Sequence, residues 1–201
     1  GNIMLHASPS SFVILPALAK IVCEPGWRWQ KREKPLQNYD LFYVWSGEGT
    51  VVRSGVPFQV GKGSCFLFRP GDSTYATHNP QKPLVITYIH FDVAEEVTEV
   101  PQPYRELTET VEFEHLLARY VRLFLVKTFA AEEEGQLILK QLMIHLLRED
   151  RMMPVERHVS NHLTEIIHEV ANYVSQHPGA AHRATSQLNL RRLPAPRSSR
   201  M

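Results

Sequence analysis

Between Tyr39 and Asp92 apolar positions concentrate in three runs separated by turn residues, which read as a string of short strands. The runs are Tyr39-Asp-Leu-Phe-Tyr-Val-Trp-Ser-Gly-Glu-Gly-Thr-Val-Val-Arg53, Phe58-Gln-Val-Gly-Lys-Gly-Ser-Cys-Phe-Leu-Phe-Arg-Pro-Gly-Asp72 and Leu84-Val-Ile-Thr-Tyr-Ile-His-Phe-Asp92. β-Branched and aromatic residues fill them, while Gly, Pro and Asn punctuate them, which predicts short antiparallel strands in a sandwich or barrel. A further strand is predicted around Ala17–Cys23, behind an N-terminal arm. Such a barrel has an interior, and interiors of this kind hold small ligands.

After Pro101 and Pro103 the period lengthens to about 3.6. One helix is predicted from about Tyr104 to Thr128, with Leu107, Val111, Leu117, Val121 and Leu125 recurring at steps of three and four. A second runs from about Glu132 to Arg148, acidic at its start and basic at its end as the helix dipole prefers, with Ile138, Leu139, Leu142, Met143, Leu146 and Leu147 on its apolar side. The two form an antiparallel pair. Either each covers one side of the barrel, or one stripe stays exposed and builds a dimer seam. A third helix, capped by Ser160 or Thr164, carries Leu163, Ile166, Ile167, Val170, Tyr173 and Val174 and stops at His177-Pro178-Gly179. The organisation is therefore residues 1–100 barrel, 101–158 helical dimerisation and linker region, 159–178 a short additional helix, and 179–201 a disordered basic tail.

Charge sharpens the view of the tail. The 201 residues carry a formal net charge of +1. Beyond Pro178 stand five arginines (Arg183, Arg191, Arg192, Arg197, Arg200) and no acid, so the first 178 residues hold 17 basic and 21 acidic side chains. The body is mildly acidic and is not itself a nucleic-acid surface. The tail arginines attract phosphate nonspecifically at most, and a solvated tail is the simpler reading. No apolar run approaches the roughly 20 residues needed to span a bilayer, so no membrane role is predicted. Gly1-Asn-Ile-Met-Leu-His6 lacks the order of a signal peptide, and Gly1 reads as a residue left by tag removal. Two widely spaced cysteines, Cys23 and Cys65, suit a reducing cytoplasm better than a disulfide scaffold, with Cys65 a small core residue.

Candidate chemistry is confined to the strand block. Leu84–Asp92 offers one face with Val85, Thr87, Ile89 and Phe91, and another with Leu84, Ile86, Tyr88, His90 and Asp92. The second set is a mixed pocket wall if it faces the interior, and an ordinary solvent face if it does not. Most nearby aromatics belong to the core, but Trp27, Trp45 and Tyr88 are candidates for stacking on a ligand. Arg32 offers a fork of donors, unless it is simply a solvated charge in a basic turn. His90 completes the ligand-binding set of Trp27, Arg32, Trp45, Tyr88 and His90. His78, His90, Asp40, Glu48, Asp72 and Asp92 are not spaced as a converging metal set. No phosphate loop, Ser-His-Asp order or activated Cys is present, so neither catalytic residue, metal nor cofactor is predicted.

Arg32, Tyr39 through Gly49, Gly61-Lys-Gly-Ser-Cys-Phe-Leu-Phe-Arg-Pro-Gly-Asp72 and Tyr88-Ile-His-Phe91 together resemble the cupin-like sensor domain of AraC-family transcriptional regulators. The resemblance runs from about Trp27 to Phe91 and, more loosely, through the helix pair. It implies a mostly β plus α fold, a cupin-like jelly-roll β-barrel followed by an antiparallel helix pair and a short helix. It also implies ligand contacts from Arg32 and Tyr88, a homodimer through the helix pair, and a first DNA-binding helix in Ile166–His177. Two departures stand out. Where metal-binding cupins carry His after the Pro-Gly pair, this chain has Asp72-Ser-Thr-Tyr75, with Thr74 near the place. After His177-Pro178, where two helix-turn-helix units are expected, no recognition helix can be built. The expected function is thus sensing and dimerisation in a bacterial regulator, with a small polar effector, sugar-like by preference, and DNA read only by a full-length form. A small metal-dependent cupin enzyme is the alternative. A third reading is a dimerising module without a ligand, its barrel filled by Phe42, Phe66 and Tyr88.

Overall fold

The computed structural model describes residues 2–27, 29 and 34–152. Among the described residues ten strands and two α-helices follow one another: β1 (Asn2–Ile3), β2 (Phe12–Val22), β3 (Tyr39–Ser46), β4 (Gly49–Arg53), β5 (Val56–Val60), β6 (Ser64–Phe68), β7 (Thr74–His78), β8 (Val85–Val93), β9 (Val97–Glu99), β10 (Tyr104–Glu106), α1 (Val111–Leu125) and α2 (Ala131–Met152). A five-stranded sheet runs β10-β6-β3-β8-β2 and a three-stranded sheet runs β5-β4-β7, all their pairings antiparallel. The sheets face each other in the manner of a jelly roll. A short parallel pair, β1 with β9, lies apart from them.

Layering follows from apolar character on both faces of the central strands. In β3, Leu41 and Tyr43 enter a core shared with the helices, while Phe42 and Val44 enter a core between the two sheets. β6 and β8 divide the same way: Cys65, Leu67, Ile89 and Phe91 pack with Phe113, Leu117, Tyr120, Leu139, Leu142 and Leu146 of the helices. Phe66, Phe68, Ile86 and Tyr88 meet Val51, Val60 and Ala76 across the sheets. Burial on both sides is why β3, β6 and β8 read as nearly unbroken apolar runs. Ile86–Phe91 of β8 are buried on both faces, which removes the solvent-face reading of Leu84, Ile86, Tyr88 and His90; Val85 at its start and Asp92 and Val93 at its end are half-exposed.

Several expected boundaries shift. β2 begins at Phe12, five residues before the predicted strand. Tyr104–Glu106 is not helical: it pairs with Ser64–Phe66 and closes the edge of the large sheet, so α1 starts only at Val111. A three-residue strand shows no period, and the 3.6-residue pattern beyond it masked it. The buried stripe of α1 is Phe113, Leu117, Tyr120, Val121 and Leu123, whereas Val111 and Leu125 are exposed. The main stripes of both helices therefore cover the barrel. Apolar groups left in water gather at the α1–α2 turn, where Leu125, Val126 and Phe129 are 70%, 65% and 96% exposed. α2 continues past Arg148 to Met152. The third helix and the basic tail lie outside the described residues. None of the described helices is long and apolar enough to cross a membrane.

Cys65 and Cys23 are both free and buried. Burial pushes the Cys65 thiol up to about 12. Since the thiolate is the reacting species, Cys65 of the native protein stays unmodified by iodoacetamide at pH 8 and reacts only at the rate of unfolding. Mass spectrometry of tryptic peptides after timed alkylation checks this. Rapid labelling of Cys65 without loss of fold would contradict the placement.

Candidate functional site

The space between the sheets is lined by aromatic rings that period-two alternation sends inward from three adjacent strands. Phe42 of β3, Phe66 and Phe68 of β6 and Tyr88 of β8 meet there. The β2–β3 connection adds Trp27, Trp29 and Leu36, and an isolated bridge holds Trp29 against Ala76 of β7. Ring centroids lie 5.3 Å apart for Trp29 and Phe42, 5.9 Å for Phe42 and Phe68, and 4.9 Å for the stacked Phe66 and Phe68. Phe42, Phe66 and Tyr88 are all fully buried, so the middle of the barrel is filled by the protein itself.

Polar groups occupy the two ends of this aromatic filling. At one end His78 stacks on Trp27, with centroids 5.8 Å apart. Burial holds the His78 ring below the ordinary histidine range and so favours its neutral form. Among the described residues, neither ring nitrogen of His78 nor the Trp27 indole nitrogen has a hydrogen-bond partner. At the other end Asp40 and His90, which face each other across β3 and β8, approach to 3.4 Å between Oδ2 and Nε2. His90 Nδ1 donates to Asn38 Oδ1 at 2.8 Å. Asp40 is fully buried and His90 nearly so. Asn38 also lines a cleft of about 300 Å³ whose wall is Lys34, Pro35, Leu36, Gln37 and Asn38. That volume is at the small end of ligand sites. Asn38 thus joins the cleft to the buried Asp40–His90 pair.

The predicted ligand residues are only partly brought together. Tyr88 and His90 neighbour each other inside the barrel, 6.0 Å between centroids, and Trp27 lies at the opposite end of the filling. Trp45 does not join them. The β3–β8 ladder pairs Val44 with Ile86 and Ser46 with Val85, which leaves Trp45 as the extra residue of a β-bulge. Its ring packs on the helix side, its indole nitrogen donates to Thr87 Oγ1 at 2.8 Å, and Lys20 Nζ lies 3.8 Å from its centroid. Parity alone already separated Trp45 from Phe42 and Val44. Arg32 lies outside the described residues.

Sequence reasoning passed over Asn38, and considered His78 and Asp40 only as metal ligands. Asp40 had a visible signal: it shares the face of Phe42 and Val44 inside an apolar strand, where an acid is rarely buried without a purpose. Among the described residues no group of three or more His, Cys, Asp or Glu side chains is placed to hold a metal ion.

A family model for the AraC-like ligand binding domain matches residues 19–147. No curated protein matches the chain. Solved structures similar to it include YhaK from Escherichia coli, with 23% identity over 52% of this chain and 48% of that one and a TM-score of 0.35. A cupin protein from Bacteroides fragilis shares 16% identity over 43% of this chain and 67% of that one, with a TM-score of 0.29. Procruciferin from Brassica napus shares 19% identity over 43% of this chain, with a TM-score of 0.32. The chain spans a quarter of procruciferin's length, 25%.

Proposed function

The chain belongs to the family of AraC-like ligand binding domains, and from that membership we propose that it is the sensing part of a bacterial, cytoplasmic AraC-type transcription regulator and not an enzyme. Its effector is a small polar metabolite, sugar-like by preference, and the full-length form couples effector binding to DNA. The observation that carries this reading is the cleft at residues 34–38, backed by Asn38, His90 and the buried Asp40. Lys34, Gln37 and Asn38 supply donors and acceptors to that cleft, which suits a small polar, hydroxyl-bearing ligand. The exposed Leu125, Val126 and Phe129 at the α1–α2 turn support self-association through the helix pair.

A thermal-shift screen against monosaccharides and small carboxylates, with and without a chelator, tests the proposal. A ligand present at a hundredfold excess over its Kd stabilises the native state by about 2.7 kcal/mol. For a domain of this size that is a rise in Tm of roughly 5–10 °C. The expected result is such a rise with at least one sugar, unchanged by the chelator. Loss of stability on chelation would favour a metal-dependent cupin enzyme. A second reading has its own support: Phe42, Phe66 and Tyr88 fill the barrel, which suits a dimerising module that has no effector. No shift with any compound, together with a stable dimer in solution, would establish it.

A further inference from the structure

The cleft wall is clamped to the rest of the molecule by one buried residue. The Leu36 N–H donates to the Asp72 carbonyl at 2.9 Å, and the Leu36 carbonyl accepts from the Gly71 N–H at 2.8 Å. Gly71 and Asp72 form the corner between β6 and β7, and that corner is itself cross-tied. The Asp72 carboxylate accepts from Arg53 Nε at 2.8 Å, from Arg53 Nη2 at 3.2 Å and from the Arg69 N–H at 2.9 Å. Displacing Leu36 therefore displaces the corner and Arg69 with it.

Arg69 reaches away from the cleft. Its Nη2 donates to the Pro101 carbonyl, 32 residues further along the chain. Burial and the neighbouring Arg53 lower the pKa of this guanidinium, the mark of a desolvated cation for which that carbonyl is a valuable partner. The residue after Pro101 joins the last turns of α2: the Gln102 N–H donates to Asp150 Oδ2 at 2.9 Å. Arg105 is buried, donates to the Gln102 carbonyl and to Asp150, and reaches the Leu146 carbonyl at 2.7 Å. Glu149 accepts from both the N–H and the hydroxyl of Thr108. Forked, charge-assisted contacts in a desolvated setting keep their geometry better than single exposed ones.

We propose that this polar relay, Leu36 to Asp72 to Arg69 to Pro101–Gln102 to Asp150, couples the cleft to the C-terminal turn of α2. The relay rests on the sensing proposal for its use, but its existence is a property of the chain without any ligand. It is a two-way device: whatever holds the cleft wall in place also holds the end of α2, and the reverse. Simple structural glue would behave differently, since loosening one joint would either stay local or lower the stability of the whole molecule evenly.

Amide hydrogen exchange of the full chain in the native state separates these cases. Arg69→Gln is expected to speed exchange at 147–152 by about fivefold or more, although Arg69 touches none of those residues. The first turns of α2, 131–140, keep their rates. Asp150→Asn is expected to speed exchange of the Leu36 and Gly71 amides in return. Arg69→Lys keeps the charge but shortens the reach to the Pro101 carbonyl, and gives a smaller effect of the same pattern if Arg69→Gln does not fold. Changes confined to residues 68–72 and Gln102, with rates at 147–152 unaltered, or a uniform rise at all amides, would overturn the relay. Failure of the relay leaves the thermal-shift result untouched, and an absent thermal shift leaves the exchange pattern untouched, so the two proposals fail separately.

Discussion

Gly47→Ala is expected to unfold much of the population under conditions where the parent is stable. Gly47 has φ of +91°, in the region that side chains rarely adopt. A Cβ there would lie 2.2 Å from the Pro83 carbonyl oxygen, 2.6 Å from its carbon and 2.7 Å from the Leu84 Cα. All three are backbone atoms, so no rotamer change relieves the clash, and the β3–β4 turn would have to part from the start of β8. The cost combines left-handed strain with displacement of a packed strand and reaches about 4 kcal/mol or more, a large share of an ordinary domain's stability. Gly26 supplies the control: its φ is +93°, yet a Cβ at that position would meet nothing within 4 Å. Gly26→Ala therefore carries the conformational strain alone, about 1–2 kcal/mol. Urea denaturation of the two variants measures the difference. Equal midpoints would show that the Gly47–Pro83 approach is looser than the structure has it.

Phe42→Ala is the second large effect, at about 3–5 kcal/mol. Its ring is fully buried and lies against Trp29, Phe66 and Phe68. Three large aromatic side chains locked around one site relax poorly, so the lost contact leaves a void rather than a collapse. Phe42→Leu retains most of the volume and is expected to cost about 1.5 kcal/mol or less. Chemical denaturation gives both values. A void lined by aromatic groups also admits benzene, so benzene should raise the Tm of Phe42→Ala and leave that of the parent unchanged. Equal response of the two proteins would mean that the barrel already holds an open apolar cavity.

Much of the architecture was legible because the physical signal was local. The runs around Leu41–Trp45 and Cys65–Phe68 contain too many apolar residues for a half-exposed strand, and they became the strands buried on both faces. The amphipathic period located α1 and α2 to within a few residues, apart from the start of α1. What failed was short. Tyr104–Glu106 is too brief to show alternation and acquires strand geometry only from its partner Ser64–Phe66. Trp45 sits at a bulge, yet its odd parity had already set it with Leu41 and Tyr43 on the helix side, away from Phe42 and Val44.

The candidate site was half legible for the same reason. Tyr88 and His90 share a parity, which placed them on one face together. That His90 meets both Asn38 and Asp40 depends on the register of β3 against β8, since the residues it joins stand 52 apart along the chain in the case of Asn38. The order of residues alone specifies the strand block, the helix pair and the division of each strand into two faces, because backbone geometry forces successive side chains to opposite sides. Which face looks into the barrel and which meets the helices is settled only by packing. Both faces are apolar, and apolar burial has no direction until a second sheet and a helix layer take their places on either side.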